Sequence, residues 1–440
     1  MKTLLFALCL FAVTPIAQGQ LTTDILATAA GKNFTSASLS PEGLKLFQQQ
    51  RTLRADTRTA LLTKMVRSIL LDLEAKARSV TPVAVLAAAP KAAEPTAAEI
   101  QSIYDANTAI LGGRNIADVR EELVRYIKGS REQKAEDEFY KTLEAKYKVV
   151  PGKDINSAAL KPIEVITTVG THRISVEDYE RANKAALNDF EVGVYEDLRT
   201  DLKASILSVL VAEEEKERGL EPGSIFAAEV TDKLKAYTED EKVGLELSLQ
   251  KRLFAKYQAK ILLKEPERFK QEISVDDDPA TGSANAPVTV VMFTDFQCPA
   301  CSATHPVLKR VLAEYPGKIR FVVRDYPLTD LHDRAFRAAT AANAANAQGK
   351  FFEYTEILYA HQDALDDASL RSYAGSLGLN SKQFELDLNG EKAAAEVRKD
   401  IADANIYGVS WTPTIYINGI KLQRVGTGNI REAIDRALGK

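Results

Sequence analysis

The sequence predicts a largely α-helical region over residues 20–272, followed by an α/β domain over residues 273–440. The helical prediction depends on long stretches rich in Ala, Leu, Glu and Lys, in which apolar residues recur at helical spacing. The α/β prediction depends on β-branched runs that alternate with helical stretches after residue 286. A chain of 440 residues is long enough for two to four domains, each with its own core.

Charge and hydropathy give no reason to expect a nucleic-acid partner or a membrane span. The formal net charge is −4 and the sequence pI is about 5.8, which gives no reason to expect a nucleic acid as a partner. No stretch approaches the roughly 18 consecutive apolar residues of a transmembrane helix. We therefore expect no membrane span.

The N-terminal segment 1–19 is typical of a cleavable secretory signal. Met1 and Lys2 form a short positive start, Leu4–Val13 is apolar, and Ala17-Gln18-Gly19 offers small residues for cleavage. This predicts a periplasmic or secreted protein, in a compartment where disulfides persist. Cleavage would remove Cys9 and leave Cys298 and Cys301 as the only cysteines, so neither has another partner within the chain.

A weak internal repeat runs through the helical region at a constant offset. Ile25–Leu39 aligns with Val165–Tyr179, and Met65–Pro82 aligns with Ser205–Pro222, the second pair with six identities in eighteen positions. Each copy reads as a short β-hairpin, a turn, and a long amphipathic helix that a proline ends. We predict one copy at 20–160 and a second at 161–272.

The motifs of the first copy resemble a known chaperone family. "PTAAEIQSIYDAN", "VREELVRYI" and "AEDEFYKTLEAKYKV" are similar to the N-terminal helical domain of the SurA and parvulin-linked family. The resemblance covers about Thr23–Val150 and, less closely, Val165–Pro266. It implies that the helical region binds unfolded exported chains. The parvulin isomerase core has no counterpart here, so that activity is not expected.

The segment "TDFQCPACSATHPVL" carries the predicted chemistry of the α/β domain. Ala286–Phe296 reads as a buried strand, and the residues after Cys298 read as a helix to about Tyr315. Pro299 suits the first helical position, which places Cys298 at the N-cap, where the helix dipole favours a thiolate. Cys301 falls on the same helix face and is expected to be more buried, behind an exposed Cys298.

The cysteine pair has two other interpretations. A structural disulfide could close the turn, although a CxxC between a strand and a helix is typical of redox centres. A zinc site needs four ligands, and the sequence has no second CxxC, so no metal is expected. His172, His305, His332 and His361 are scattered and read as surface or helix residues.

The remaining elements complete the predicted domain. Lys318–Leu328 reads as a second strand, and residues 330–407 read as an Ala-rich helical stretch. Thr414–Ile417 and Lys421–Val425 read as a hairpin whose two-residue turn is Asn418-Gly419. Ile430–Leu438 reads as a closing helix.

This order, with "DFQCPAC", "RDYPL", "QGKFFEY" and "TPTIYING", resembles the DsbA-like thioredoxin family over about Pro279–Leu438. The resemblance implies an α/β thioredoxin fold with a helical insertion. It also implies that Cys298 attacks, that Cys301 resolves, and that Pro413 is a cis-proline. The backbone of Thr412, the residue before it, would pair with a substrate strand.

Several residues near the motif are candidate modulators of the thiols. Pro299 and Ala300 lack the histidine found in strong oxidases of the family, and Thr412 is more typical of isomerase-type relatives. Asp295 is a candidate for proton transfer with Cys301, or else a strand-end polar residue. Phe296, beside it, is a further candidate.

The combined prediction is an exported thiol–disulfide oxidoreductase whose helical region holds its clients. The expected partners are unfolded or disulfide-containing exported proteins and an unidentified redox partner. No cofactor is expected, and the redox centre is the Cys298–Cys301 disulfide. Two alternatives stay open. The protein could be a holdase without redox activity, or the helical region could serve only as the arm of a homodimer.

Overall fold

The structure, a computed structural model, describes residues 24–90 and 92–440. The predicted signal segment and Cys9 lie outside the described residues. Across those that are described, we find no helix that combines the length and the apolar character needed to cross a membrane.

The region between Asp24 and Glu272 is mostly helical, as predicted. Its strands are β1 (Ala27–Ala29), β2 (Lys32–Phe34), β3 (Val149–Pro151), β4 (Val165–Val169), β5 (His172–Ser175) and β6 (Lys260–Ile261). Its helices are α1 (Pro41–Arg78), α2 (Pro82–Ala87), α3 (Ala97–Ala106), α4 (Ile116–Lys146), α5 (Val176–Arg218), α6 (Ser224–Glu229) and α7 (Glu239–Lys256). Both predicted hairpins and both long helices are present. Thr96 and Glu99 form the capping box expected at the start of α3.

The C-terminal elements follow the predicted order. The strands are β7 (Ala280–Gly282), β8 (Val288–Thr294), β9 (Ile319–Asp325), β10 (Thr414–Ile417) and β11 (Ile420–Lys421). The helices are α8 (Pro299–Ala313), α9 (Ala335–Asn346), α10 (Phe351–Ala360), α11 (Asp367–Ser376), α12 (Ser381–Asn389), α13 (Glu391–Ile406) and α14 (Thr427–Ala437). The edge strand β7 is an addition to the prediction, and β11 is shorter than predicted.

The chain divides into two compact units. One comprises residues 24–50 and 188–440, and the other comprises Arg51–Leu187. The first unit therefore contains the first hairpin, the second half of the helical region and the whole C-terminal domain. The boundary residues fall inside α1 and α5, so each of these helices contributes to both units.

The unit Arg51–Leu187 has a small antiparallel sheet in the order β3-β4-β5. Its core contains Leu70, Tyr140, Ile166 and Tyr179. A buried carboxylate, Glu74, lies beside this core. Its oxygens accept hydrogen bonds from the side chains of Arg78, Lys146 and Tyr147.

The helical part of the other unit repeats this design. Its sheet has the order β2-β1-β6, and its core contains Phe34, Leu202, Leu210 and Leu253. The buried Glu214, which the repeat aligns with Glu74, is surrounded in the same way. Its partners are Arg218, Arg252, Lys256 and Tyr257.

Each small sheet joins residues from both predicted copies. The hairpin β1–β2 pairs with β6, which follows the helices of the second copy. The hairpin β4–β5 pairs with β3, which follows the helices of the first copy. The compact units therefore do not coincide with the consecutive segments 20–160 and 161–272. Sequence similarity indicates two copies, but it does not show that β6 pairs with the first hairpin and β3 with the second.

The C-terminal domain is built on a five-stranded sheet in the order β11-β10-β8-β9-β7. Strands β8 and β9 are parallel, while β10 runs antiparallel to β8. Alternate residues of β8 enter different cores: Val290 and Met292 pack into one, and Val291 and Phe293 into the other. Five helices, α9–α13, are inserted between β9 and β10. The turn at Asn418-Gly419 has positive φ at both residues, as the predicted hairpin requires.

Within the unit that contains residues 188–440, residues of the helical region contact the C-terminal domain through polar groups. Lys421 of β11 forms an ion pair with Asp189 of α5 at 2.8 Å, and Glu432 of α14 accepts from Arg199 at 2.6 Å. Lys270 pairs with Ile420 as an isolated antiparallel bridge. A cavity of about 700 Å³ lies between α5, α7 and α14.

Candidate redox site

The CxxC motif lies where strand β8 passes into helix α8. Cys298 is the N-cap of α8 and has extended backbone angles, and Pro299 is the first helical residue. The N–H of Cys298 donates to the carbonyl oxygen of Asp295 at 3.1 Å, which holds the turn. Pro299 and Ala300 are exposed. This local geometry is the one that the sequence predicted.

The two sulfurs differ in burial less than expected. Both cysteines are free thiols in this structure, and Cys301 is fully buried. Cys298 was expected to be exposed, but only 7% of its surface is accessible. The prediction of exposure was wrong because the loop before β10 brings Thr412 over the Cys298 sulfur.

Residues Thr412 and Pro413 lie beside the motif, as the resemblance implied. The Thr412–Pro413 peptide bond is cis. The thiol of Cys298 donates to the carbonyl oxygen of Thr412 over a distance of 3.6 Å. Thr412 is buried, and its Oγ1 atom has no hydrogen-bond partner among the described residues. A backbone carbonyl thus faces the sulfur that would exchange.

The two thiols have opposite acidities. A hydrogen bond from the Cys301 side chain lowers the pKa of Cys298 to about 5, despite the opposing effect of burial. The backbone N–H groups of Cys301 and Ala300 act in the same direction. Burial and the neighbouring Cys298 sulfur raise the pKa of Cys301 far above its usual range. One sulfur is therefore prepared as a thiolate and the other as a thiol.

The carboxylate of Asp295 is held in place by hydrogen bonds to neighbouring segments. Its fully buried carboxylate accepts hydrogen bonds from the backbone N–H groups of Gln297 at 2.7 Å and Leu328 at 2.8 Å. Its Oδ2 atom also lies 2.7 Å from Nδ1 of His332. These bonds join the active-site turn to the segment after β9. The strand-end reading of Asp295 has direct support, and its role in proton transfer stays a prediction.

Phe296 and Gln362 support the motif from the helical insertion. The buried Phe296 ring packs against the rings of Phe351 and Tyr359, with centroid distances of 6.4 and 5.3 Å. The Gln362 amide donates to the carbonyl oxygens of Phe296 and Cys298, both at 2.9 Å. Sequence reasoning missed Gln362, because nothing in its local pattern indicates a contact 64 residues away.

Trp411 is a second residue that the sequence analysis did not single out. It precedes Thr412, and 54% of its surface is exposed. The ammonium of Lys421 lies 4.3 Å from the centre of its ring. Its place beside a predicted substrate-binding residue was readable in "WTPT", but its exposure depends on the fold.

The histidines are not all on the surface. His305 is 8% exposed; its Nε2 atom lies 3.0 Å from Oε1 of Glu356, and its ring packs on Tyr359. His305 lies within α8, which agrees with the prediction of a surface or helix residue, and helix α10 covers this face of α8. His361 stacks on Tyr373.

The comparison with protein families decides the assignment of this domain. The family model described as Thioredoxin matches residues 274–436. Residues 274–436 therefore form a thioredoxin-like α/β domain. It has the CxxC motif at the start of α8 and a helical insertion between β9 and β10.

Two sodium/proton antiporters are similar to part of the chain. The sodium/proton antiporter NhaA 3 of Salinispora tropica is 38% identical over 147 residues, 33% of this chain and 22% of that protein. NhaA 1 of Salinispora arenicola is 40% identical over 166 residues, 38% of this chain and 25% of that protein. The chain thus spans about a quarter of the length of these relatives.

Two solved structures are similar to the thioredoxin domain. A thioredoxin-like oxidoreductase from Silicibacter pomeroyi has a TM-score of 0.34 and 26% identity, covering 37% of this chain and 93% of that one. BdbD from Bacillus subtilis has a TM-score of 0.36 and 23% identity, covering 40% of this chain and 100% of that one. The assignment of the domain depends on the family match and on the strand order. The two TM-scores are too low to add support.

Proposed function

We propose that the protein is an exported thiol–disulfide oxidoreductase that exchanges disulfides with unfolded or misfolded secreted proteins. One observation carries the proposal: Cys298 occupies a helix N-cap with a lowered pKa, and its resolving partner Cys301 is buried behind it. A thiolate at a helix N-terminus with a protonated thiol behind it is suited to exchange through a mixed disulfide.

The proposed exchange begins with the oxidised protein. A client thiolate attacks Sγ of Cys298, the Cys298–Cys301 bond breaks, and the Cys301 sulfur leaves with the electron pair and gains a proton. A second client thiolate then attacks the client sulfur of the mixed disulfide. Cys298 leaves as a thiolate, and the client has lost two electrons and gained a disulfide. Isomerisation and reduction begin instead with the reduced protein. The Cys298 thiolate attacks a client disulfide, and the same kind of mixed disulfide forms.

Thr412, Pro413 and Trp411 are the proposed client-binding residues. Thr412 presents its backbone carbonyl to the Cys298 sulfur, so an extended client strand could pair with this loop while its own sulfur meets Cys298. The exposed ring of Trp411 would pack on client side chains next to that strand.

The helical region is proposed to hold unfolded clients, as its SurA-like motifs imply. Large apolar side chains are exposed in the unit Arg51–Leu187, among them Val83, Ile110 and Ile163, each at least 75% exposed. Such side chains favour binding to the apolar segments of unfolded chains. With the segment at 1–19, this role fits a periplasmic or secreted location.

Insulin reduction by dithiothreitol, with the full-length mature protein, tests the exchange. Wild type should accelerate insulin precipitation, and Cys298→Ser should lose that acceleration entirely. Glu385→Gln, an exposed carboxylate paired with Arg371 in the same domain, serves as the control and should retain it. Equal activity in Cys298→Ser and wild type would overturn the proposal.

The double variant Cys298→Ser, Cys301→Ser separates the holdase from the oxidoreductase. We expect it to suppress aggregation of a denatured client as well as wild type does, because the helical region is unchanged. Suppression without exchange in the wild type would favour the non-redox alternative. If the helical region is only a dimerisation arm, light scattering will give twice the monomer mass and neither protein will suppress aggregation.

A further inference from the structure

A buried cluster of charged side chains lies in the C-terminal domain, apart from the cysteines. Arg324 of β9 is completely buried and is within 3.3 Å of three carboxylates, those of Asp278, Asp400 and Asp403. Glu396, one helical turn before Asp400 on α13, belongs to the same cluster. The single guanidinium is outnumbered by the acids around it.

Several oxygens of this cluster have no hydrogen-bond partner among the described residues. The side chain of Asp278 is fully buried, yet neither Oδ1 nor Oδ2 is hydrogen-bonded. Its Oδ2 atom lies 3.3 Å from Nε of Arg324, but it is not aligned for a hydrogen bond. Oε1 of Glu396 is also buried without such a bond and lies 3.6 Å from the ammonium of Lys399.

The neighbouring cation cannot compensate for this charge. Lys399 already forms ion pairs at 2.8 Å with Asp276 and Asp277, in the loop that leads to Asp278. Both oxygens of Asp400 are held, Oδ1 by Arg324 and Oδ2 by the backbone N–H of Asp325. Buried carboxylates without partners are costly, because they lose hydration without gaining a bond.

We propose that Asp278, Glu396 and Asp400 bind a calcium ion. One oxygen from each can be chosen so that all three lie within 4.8 Å of one another. An ion equidistant from the three oxygens would then lie no more than about 2.8 Å from each, so a small inward shift of the side chains would give calcium–oxygen bonds of about 2.3 to 2.6 Å. Backbone carbonyls or water would complete a coordination shell of about 6 to 8 oxygens.

The donor chemistry selects calcium among the common ions. All three ligands are carboxylates, so the site suits a hard cation and lacks the nitrogen and sulfur ligands that zinc prefers. Magnesium requires shorter bonds of about 2.1 Å in a regular octahedron. At the full separation of 4.8 Å the carboxylates would have to move inwards about twice as far to bind magnesium as to bind calcium.

The bound ion would join the start of the C-terminal domain to helix α13. Asp278 precedes the edge strand β7, while Glu396 and Asp400 are one turn apart on the helix. The expected consequence is greater stability, with little change in the rate of disulfide exchange. The site is therefore independent of the proposed function, and its test does not use the exchange assay.

Calorimetric titration and thermal unfolding of the full-length protein, freed of metal with a chelator, test the proposal. Calcium should bind at one site per chain, and about a hundredfold excess over Kd should raise Tm by about 5 °C or more. Magnesium should give a smaller rise. The double variant Asp278→Asn, Glu396→Gln should lose both the heat of binding and the rise in Tm.

Asp403→Asn is the matched control, since Asp403 contacts Arg324 but is not one of the three ligands. It should keep the response to calcium. The competing explanation is a proton, because burial and the charge of Asp400 raise the pKa of Asp278 to about 8. If wild type shows no heat of calcium binding at millimolar concentration, the cluster holds protons and the proposal is wrong. That result does not depend on whether the variants fold.

Discussion

Sγ of Cys298 lies 3.6 Å from the carbonyl oxygen of Thr412, although 114 residues separate them in the chain. The contact exists because β10 pairs with β8, so the residues just before β10 meet the turn just after β8. The fold therefore brings a backbone acceptor to the sulfur of the CxxC. A client strand that replaced this contact would be placed directly at the reacting atom.

The lowered pKa of Cys298 predicts a thiolate that persists in mild acid. A hydrogen bond from Cys301 is the largest cause, and the pKa falls to about 5. The rate of alkylation of the reduced protein by iodoacetamide should therefore stay nearly constant from pH 8 to pH 6 and halve near pH 5. Cys301→Ala should move this inflection to higher pH.

The lowered pKa of Cys298 also determines how the stability of the reduced protein depends on pH. An ordinary thiol titrates near pH 9, so the folded thiolate stabilises the reduced protein fully above that pH. The stabilisation is lost as the pH falls towards 5.

An alkylation profile with its inflection near pH 9 would show that Cys298 is an ordinary thiol.

The same thiolate predicts an oxidising disulfide. A group that stabilises the dithiol form relative to the disulfide raises the reduction potential. We expect the Cys298–Cys301 couple, equilibrated in glutathione buffers and measured by mass spectrometry after acid quenching, to lie above about −270 mV, the potential of thioredoxin. A value at or below that of thioredoxin would indicate a reductase and contradict the oxidising assignment.

The buried Glu74 predicts how the helical region responds to mutation and pH. Hydrogen bonds from Lys146, Tyr147 and Arg78 hold its pKa at about 2. Glu74→Gln should reduce the free energy of unfolding by about 2 kcal/mol, because it removes charge-assisted hydrogen bonds. Glu138→Gln, which breaks an exposed pair with Lys141, should leave the free energy of unfolding almost unchanged.

Chemical denaturation monitored by circular dichroism gives both values. Because the folded pKa of Glu74 is lowered, its contribution is complete above about pH 4.5 and is lost as the pH falls towards 2. The difference between wild type and Glu74→Gln should therefore shrink over that range. Equal losses in the two variants would show that burial gives Glu74 no special role.

Much of this structure could be predicted from local sequence. The N-cap position of Cys298, Pro299 at the first helical position and the Asn418-Gly419 turn each depend on neighbouring residues, and each is present. The capping box at Thr96 is of the same kind.

What the sequence did not predict depends on contacts between distant segments. The burial of Cys298 requires Thr412, the support of its carbonyl requires Gln362, and the covering of His305 requires helix α10. The pairing of β1 with β6 is a further example, since it joins Ala27 near the start of the described chain to Ile261. Periodicity and spacing contain no information about these partners.

Capture of clients by the Cys301→Ser variant tests the central claim most directly. Without its resolving thiol, Cys298 can attack a client disulfide but cannot complete the exchange, so a mixed disulfide should accumulate. We predict that incubation with an unfolded, disulfide-containing client, followed by non-reducing electrophoresis and peptide mass spectrometry, will show a client cysteine bonded to Cys298. The same treatment of Cys298→Ser, Cys301→Ser should show none. Absence of any mixed disulfide on Cys298 would contradict the assignment of this residue as the attacking thiol.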